Sequence, residues 1–362
     1  MALYIGLMSG TSMDGVDAAL VDLSNNQCIA GITRPYGVEA RRFLDDVLQA
    51  NSVGLGTLHQ LNTVLGREFG LAVFELLKQA NCPAHDVVAI GSHGQTICHD
   101  ATAMIPYTVQ LACPHTIAEM TNICVVADFR TRDLVVGGQG APFAPMYHQV
   151  LFAHQKTPLA LVNIGGIANV TFLQESQSPR GYDVGPGNCL MDAWIQLTLN
   201  QPYDADGAWA RTGHVIPSLL NELLSDPFFR QKPPKSIGKE YFSRHWLESK
   251  LQKNDAPEDI QATLLELTAM TICDAIDQSG VPITNIVICG GGVHNTSLIH
   301  ALKRHSKDAQ VVSSAELGVD PNFIEAMMFA WFAEKTIHKV PLDLSALTGS
   351  NKPVILGAVY PV

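Results

Sequence analysis

The sequence predicts an α/β protein built from two related lobes. Apolar runs of strand length end in glycine turns, one long segment has helical periodicity, and a similar order of elements occurs twice along 362 residues. At roughly 100–200 residues per domain, the length suits two domains.

Residues 3–8 form a short apolar run that ends in Ser9-Gly10-Thr11-Ser12-Met13-Asp14-Gly15, and 16–23 alternates as a second strand. The pair reads as a β-hairpin with a long glycine-bearing turn, and a third strand over 28–33 extends it. Leu58, Leu61, Leu65, Phe69, Ala72, Leu76 and Ala80 recur at three- and four-residue steps, the mark of one long amphipathic helix. Residues 87–91 are a buried type of strand ending at Ser92-His93-Gly94. The order returns about 155 residues later. There Leu159–Ile164 is apolar, Gly165-Gly166 a turn, Ile167–Leu173 a strand, Asp183-Val184-Gly185-Pro186-Gly187 a further turn and 188–199 a helix. After more helical sequence, Asn285–Cys289 is a strand ending at Gly290-Gly291-Gly292. Between the halves, 128–145 with its run GGQGAPFAP reads as a junction loop, and the helical stretch 322–337 is expected to pack back near the first domain. The expected division is therefore 1–130 with 338–362 as an N-terminal lobe, and 131–337 as a C-terminal lobe.

Composition narrows the function. Apolar residues reach 47% and charged residues only 16%, against a usual ~25% charged, which excludes global disorder. A net charge of −11 without basic runs argues against nucleic acid or a membrane surface as partner. It leaves phosphate open, because backbone N–H groups or a metal can hold an anion without lysines. The eight cysteines contain no C-x-x-C and read as small hydrophobes of a reducing compartment. His93, Cys98 and His99 lack zinc-site spacing. No signal-peptide pattern and no 18-residue apolar stretch occurs. The expectation is a soluble, cytoplasmic protein.

The turn spanning Gly10, Thr11, Ser12, Met13, Asp14, Gly15, Val16 and Asp17 is the most informative stretch. Small residues admit a ligand close to the backbone, and hydroxyls with N–H groups form an anion nest. It is not a P-loop, and alone it could be an ordinary glycine hairpin. Gly165, Gly166 and then Gly290, Gly291 and Gly292 shift the balance, since three glycine turns at strand ends suit a nucleoside triphosphate held without a lysine cradle. Asp183, before Gly-Pro-Gly, is the candidate general base. On local sequence alone its plainer reading, an Asx-turn bonding its own backbone, stays ahead. Asp192 reads equally as a solvated helix residue or a partner of the site. Arg130 and Arg132, with Asp128 and Asp133, are either an exposed ion-pair turn or a carboxylate-recognition element, and in so charge-poor a chain the second is favoured. Glu325 reads by default as an exposed first-turn carboxylate, the other reading being a side chain that points into a site, and His93 by default as a satisfied core histidine, the other reading being a residue that lines the cleft.

The fragments G-L-M-S-G-T-S-M-D-G-V-D (6–17), G-S-H-G-Q-T (91–96), D-F-R (128–130), G-G-Q-G-A-P (137–142), N-I-G-G-I-A-N (163–169), Y-D-V-G-P-G-N (182–188), G-G-G-V-H-N (290–295) and L-T-G-S (347–350) together resemble the anhydro-N-acetylmuramic acid kinase family. The resemblance runs end to end. It implies the actin-like ATPase (ribonuclease H-like) fold of the sugar-kinase and heat-shock-protein group, with two related α/β lobes and ATP between them. It implies that 1,6-anhydro-N-acetylmuramic acid, ATP and water give N-acetylmuramic acid 6-phosphate and ADP in bacterial cell-wall recycling, with Mg²⁺ as cofactor and a homodimer as assembly. Asp183 matches the family's catalytic aspartate, 10–17 its phosphate-binding segment, and 290–292 a nucleotide-proximal turn. Arg130 and Glu325 become sugar contacts. Related kinases usually carry Asp where this chain has Met8, so Asp14 or Asp17 is left to assist the metal, whose ligands the sequence leaves unassigned. The alternatives are a related hexose or amino-sugar kinase without ring opening, and an actin- or chaperone-like nucleotide switch.

Overall fold

In a computed structural model the chain is described throughout, except for Met1, Thr11, Ser12, Asp14, Asn51, Pro234, Lys239, Glu240 and Asp308 and the side chain of Gln49. It divides into two compact units, Met1–Tyr147 with Phe323–Val362, and His148–Asn322. The division falls at 147/148 and 322/323, where the sequence placed 130/131 and 337/338. The 131–147 segment and the apolar helix therefore belong to the first unit.

The first unit is built on strands β1 (Leu3–Ser9), β2 (Gly15–Asp22), β3 (Gln27–Pro35), β4 (Val87–Asp100), β5 (Tyr107–Leu111) and β6 (Val125–Ala127). β1, β2 and β3 form the antiparallel meander expected from their alternation, while β4 joins β1 in parallel and β6 joins β4 in parallel. The C-terminal strand Ala358–Tyr360 closes the β6 edge. β4 does not end at Ser92-His93-Gly94 as expected. It continues to Asp100 because its second half finds a new antiparallel partner in β5, across a register shift at residues 96–98. Gly94 (φ 79°) lies so close to β5 that a Cβ would stand 2.5 Å from the Leu111 carbonyl oxygen. That is the usual meaning of a glycine inside a strand.

The long helix is Leu55–Gln79, and its Leu61, Leu65, Phe69, Val73 and Leu76 bury one stripe in the core formed with Ile5, Leu7, Val16, Ala18 and Leu20. The junction segment is not one loop, since Phe129–Val135 is helical. The other face of the sheet carries the helix Ile324–Ile337. Ten of its fourteen residues are buried, among them Met327, Phe329, Trp331 and Phe332, and each large side chain removed from water contributes about 1.5–3 kcal/mol. Its close seat depends on two glycines. Gly6 and Gly91 are paired in register on β1 and β4, and Cβ atoms there would lie 1.7 Å from the Ala326 oxygen and 1.9 Å from the Phe329 oxygen. Only a sheet bare of side chains at these points lets the helix backbone approach so closely.

The second unit repeats the plan. β7 (Leu159–Ile164), β8 (Ile167–Leu173) and β9 (Arg180–Pro186) form an antiparallel meander, and β10 (Asn285–Cys289) and β11 (Gln310–Ser313) add in parallel beside β7. The strand order β11-β10-β7-β8-β9 matches β6-β4-β1-β2-β3. The helix Pro257–Gln278 covers one face of this sheet, with Ile260, Leu264, Leu267 and Ile272 against Val170, Phe172 and Val184. Residues 183–187, expected as a turn, lie mostly in a strand. β9 pairs with β8, Asn169 opposite Asp183, across a bulge at 168/169.

Candidate active site

In the first unit the β1–β2 turn is fastened from below. Ser9 Oγ donates to the Gly15 carbonyl (2.7 Å), lies 2.7 Å from Gln95 Oε1 and accepts from the Tyr36 hydroxyl (2.9 Å). Gln95 Nε2 donates to the Gly10 carbonyl (3.3 Å). Met13 adopts the left-handed region (φ 58°), its N–H returns to Gly10 (3.2 Å), and its carbonyl accepts from Arg41 (2.6 Å). Gly15 could carry no side chain, since a Cβ would meet the Arg34 carbonyl oxygen at 2.4 Å. Val16 points into the core, so it offers a ligand only backbone. Thr11, Ser12 and Asp14 lie outside the described residues. Asp17 accepts from Thr33 Oγ1 (2.6 Å) and stands opposite Met8 in the β1–β2 ladder, so the two side chains share one sheet face.

Glu325, at the first turn of its helix, is half-buried. Burial first and Asp17 second raise its carboxyl, against the attraction of Arg130. Of the four charges clustered at 128–133, Asp128 and Arg132 are exposed, while Arg130 and Asp133 turn inward. Arg130 Nε donates to His93 Nε2 (2.9 Å) and Nη1 to the Gly140 carbonyl (2.6 Å). Burial lowers the guanidinium to about 10, offset in part by Glu325 and Asp133, so it stays charged at neutral pH. His93 is a buried histidine as the sequence suggested, yet it sits within this cluster.

In the second unit, three backbone segments converge. The carbonyls of Gly165 and Gly166 accept from the N–H groups of Asn188 (2.8 Å), Gly187 (2.9 Å) and Cys189 (3.1 Å). Asn188 Nδ2 donates to the Ile164 carbonyl (3.2 Å). Gly290 (φ 76°) passes so near β7 that a Cβ would stand 2.2 Å from Asn163 Oδ1, and one at Gly292 would stand 2.4 Å from Ile164. Two of the three glycine turns thus meet in one unit. Beside them Val293, His294, Ser313, Asp320 and Asn322 line an open depression of about 580 Å³.

Asp183 does not bond its own backbone. Its N–H donates to the Lys235 carbonyl (3.1 Å) and its Oδ2 accepts from the Ile237 N–H (2.9 Å), so 235–237 runs along β9 and grips the residue at two points. The other oxygen, Oδ1, has no hydrogen-bond partner among the described residues. Burial pushes the carboxyl up to about 6, against the Ile237 N–H and the Lys235 ammonium. Lys235 is itself held over the Phe228 ring (4.4 Å) and donates to the Phe228 carbonyl (3.2 Å). Asp192 has no bond to Asp183. Burial, with Asp204 second, pushes it up to about 7. Gln95, Tyr36 and Lys235 were not singled out from the sequence. Gln95 lies within a quoted fragment, whereas the partnership of Lys235 with Asp183 spans 52 positions of chain and has no local signal.

Two units with the same five-strand plan and a glycine turn after the first strand of each define the actin-like α/β class. The solved structure of Acidaminococcus fermentans (R)-2-hydroxyglutaryl-CoA dehydratase component A shares the fold, with a TM-score of 0.52 and 12% identity over 93% of this chain and 100% of that one. A family profile described as anhydro-N-acetylmuramic acid kinase matches residues 2–362. Curated proteins of that name are 56% identical in Legionella pneumophila (strain Corby), over 100% of this chain and 99% of the relative, and 43% identical in Coxiella burnetii, over 99% and 97%. This chain belongs to the anhydro-N-acetylmuramic acid kinase family, the kinase family that its motifs resemble.

Proposed function

We propose that the protein uses ATP and water to open 1,6-anhydro-N-acetylmuramic acid and to phosphorylate O6, giving N-acetylmuramic acid 6-phosphate and ADP in peptidoglycan recycling. Family membership supports the substrate. The observation that carries the chemistry is the state of Asp183, with one oxygen gripped, the other without a partner among the described residues, and a basicity raised to about 6. Such a carboxylate is ionised at neutral pH yet basic enough to take a proton. Asp183 accepts the proton of a water whose oxygen bonds to C1; the C1–O6 bond breaks, O6 takes the γ-phosphoryl group and ADP departs. Asp183 then returns its proton to solvent. The base step is that of an inverting glycosidase, joined to a phosphoryl transfer governed by positioning and charge.

In this reading the backbone of 10–17, with 165–166 and 290–292, serves the nucleotide, and the depression beside Val293 takes its nucleoside part. Arg130 contacts the sugar's carboxylate and Glu325 the sugar. Mg²⁺ is usually held by one or two carboxylates together with phosphates and waters. Asp17 fits that need, on the same sheet face as Met8 and with its like charge close enough to raise Glu325. Bound there, the ion would neutralise phosphoryl charge. The reading also takes the protein as a cytoplasmic homodimer, on family grounds; no described helix is long and apolar enough to cross a membrane.

Coupled ADP release tests the reading, with the anhydro sugar against N-acetylglucosamine and N-acetylmuramic acid. Turnover should require the anhydro sugar, and ¹⁸O from labelled water should appear at C1. Unlabelled product would sink ring opening in favour of a plain sugar kinase, and turnover without sugar would favour a nucleotide switch.

A further inference from the structure

Two of the recognised fragments, 137–142 and 347–350, and His93 of a third, 91–96, have no task in that mechanism. In the first unit they meet around the Arg130 guanidinium. His93, 4% exposed, engages both ring nitrogens, Nδ1 with the Gly94 carbonyl (2.9 Å) and Nε2 with Arg130 Nε (2.9 Å). A carbonyl only accepts and a guanidinium only donates, so Nδ1 carries the proton and Nε2 is bare. The ring is neutral, and Phe329 packs against it at 4.6 Å between centroids. Gly140, the second acceptor of Arg130, is fixed by its own N–H to Asp133 Oδ2 (2.7 Å), and Asp133 Oδ1 accepts from Thr348 Oγ1 (2.8 Å).

Both protein acceptors of the guanidinium are therefore neutral. Asp133 and Glu325 are near enough to act on its charge, yet neither hydrogen-bonds it. Were a carboxylate in the place of His93, it would take the donors in a bidentate pair and neutralise the cation. A neutral acceptor fixes the orientation and leaves the charge for a ligand. The remaining donors, one on Nη1 and two on Nη2, have no partner among the described residues, and their end-on edge matches a carboxylate.

We propose that His93 is a positioning residue which, as a neutral acceptor, sets the rotation of Arg130 and so sets discrimination between a carboxylate-bearing anhydro sugar and the same sugar without the carboxylate. This rests on the reading of Arg130 as the carboxylate contact. The test compares KM and kcat for 1,6-anhydro-N-acetylmuramic acid and 1,6-anhydro-N-acetylglucosamine in the wild type, R130L, H93L and H93Q. H93L should raise KM for the carboxylated sugar by about tenfold or more, with KM for the other sugar nearly unchanged. H93Q, whose amide oxygen reaches Nε, should restore most of the preference. If H93L does not yield soluble protein, H93N, too short to reach Nε, carries the same expectation. Equal changes for both sugars, or none, overturn the proposal. If R130L leaves the preference intact, the reading of Arg130 fails first; if R130L abolishes it and the His93 variants do not, the positioning role alone fails.

Discussion

Replacing Asp183 by Asn should stabilise the fold while removing activity. The folded carboxyl titrates near 6 rather than at its ordinary 3.8, and that gap is worth about 3 kcal/mol. The sign follows from proton linkage. A pKa raised by folding means that the native state binds the proton more tightly, so its contribution is fully present below 3.8 and is lost as pH rises through about 6. At pH 7.5 the protein bears the whole cost of an ionised, part-buried carboxylate. The amide introduced by D183N is neutral at every pH and can still accept from the Ile237 N–H as the protonated carboxyl does; the stronger bond of the ionised form is already contained in the net shift. The net gain should be about 3 kcal/mol at pH 7.5 and well under 1 kcal/mol at pH 4. Urea denaturation at both pH values measures it. Equal or lower stability of D183N at pH 7.5, or a difference that ignores pH, would refute the account of Asp183 as a strained base. The same pKa sets activity: kcat/KM of the wild type should fall on an acid limb centred near 6, and a limb near 4 would contradict it.

Other expectations are simpler. Removing the Lys235 charge in K235M should move the acid limb upward, because the ammonium favours ionised Asp183, whereas K235R should hold it in place; pH–rate profiles decide. Gly91→Ala should cost about 3 kcal/mol or more, since its Cβ would stand 1.9 Å from the Phe329 carbonyl oxygen. Gly56→Ala, with nothing within 4 Å, should gain up to ~1 kcal/mol of helix stability, and a urea midpoint for G91A no lower than that for G56A would count against this packing argument. Gln95→Leu removes the amide that spans Ser9 and Gly10 and should raise KM for ATP with less effect on KM for the sugar; the reverse pattern would detach Gln95 from the phosphate turn.

What was legible in the sequence was periodic or local. The meander of 3–33 showed in its alternation, the helix Leu55–Gln79 in its three- and four-residue steps, and the glycine turns in their composition. These signals survive because side-chain pattern and turn chemistry are properties of neighbours along the chain. Arg130, Asp183 and Glu325 could be nominated, but mainly through resemblance to a family.

Their states were decided elsewhere. Asp183 reads locally as a turn residue because Val184 and then Gly-Pro-Gly follow it, yet pairing with β8 and the 235–237 segment puts it in a strand. Local sequence ends strand 87–91 at Gly94, yet β5 extends it to Asp100. His93 looked like an ordinary core residue until Arg130, 37 positions away, supplied the donor that fixes its tautomer. By itself the sequence determined most of the element types, the repeated order and the family. Only the tertiary structure decided which carboxylate is gripped, which histidine is neutral and which guanidinium edge is left for a ligand. The reason is physical: burial and hydrogen bonding set charge and orientation, and both depend on groups far apart in the chain.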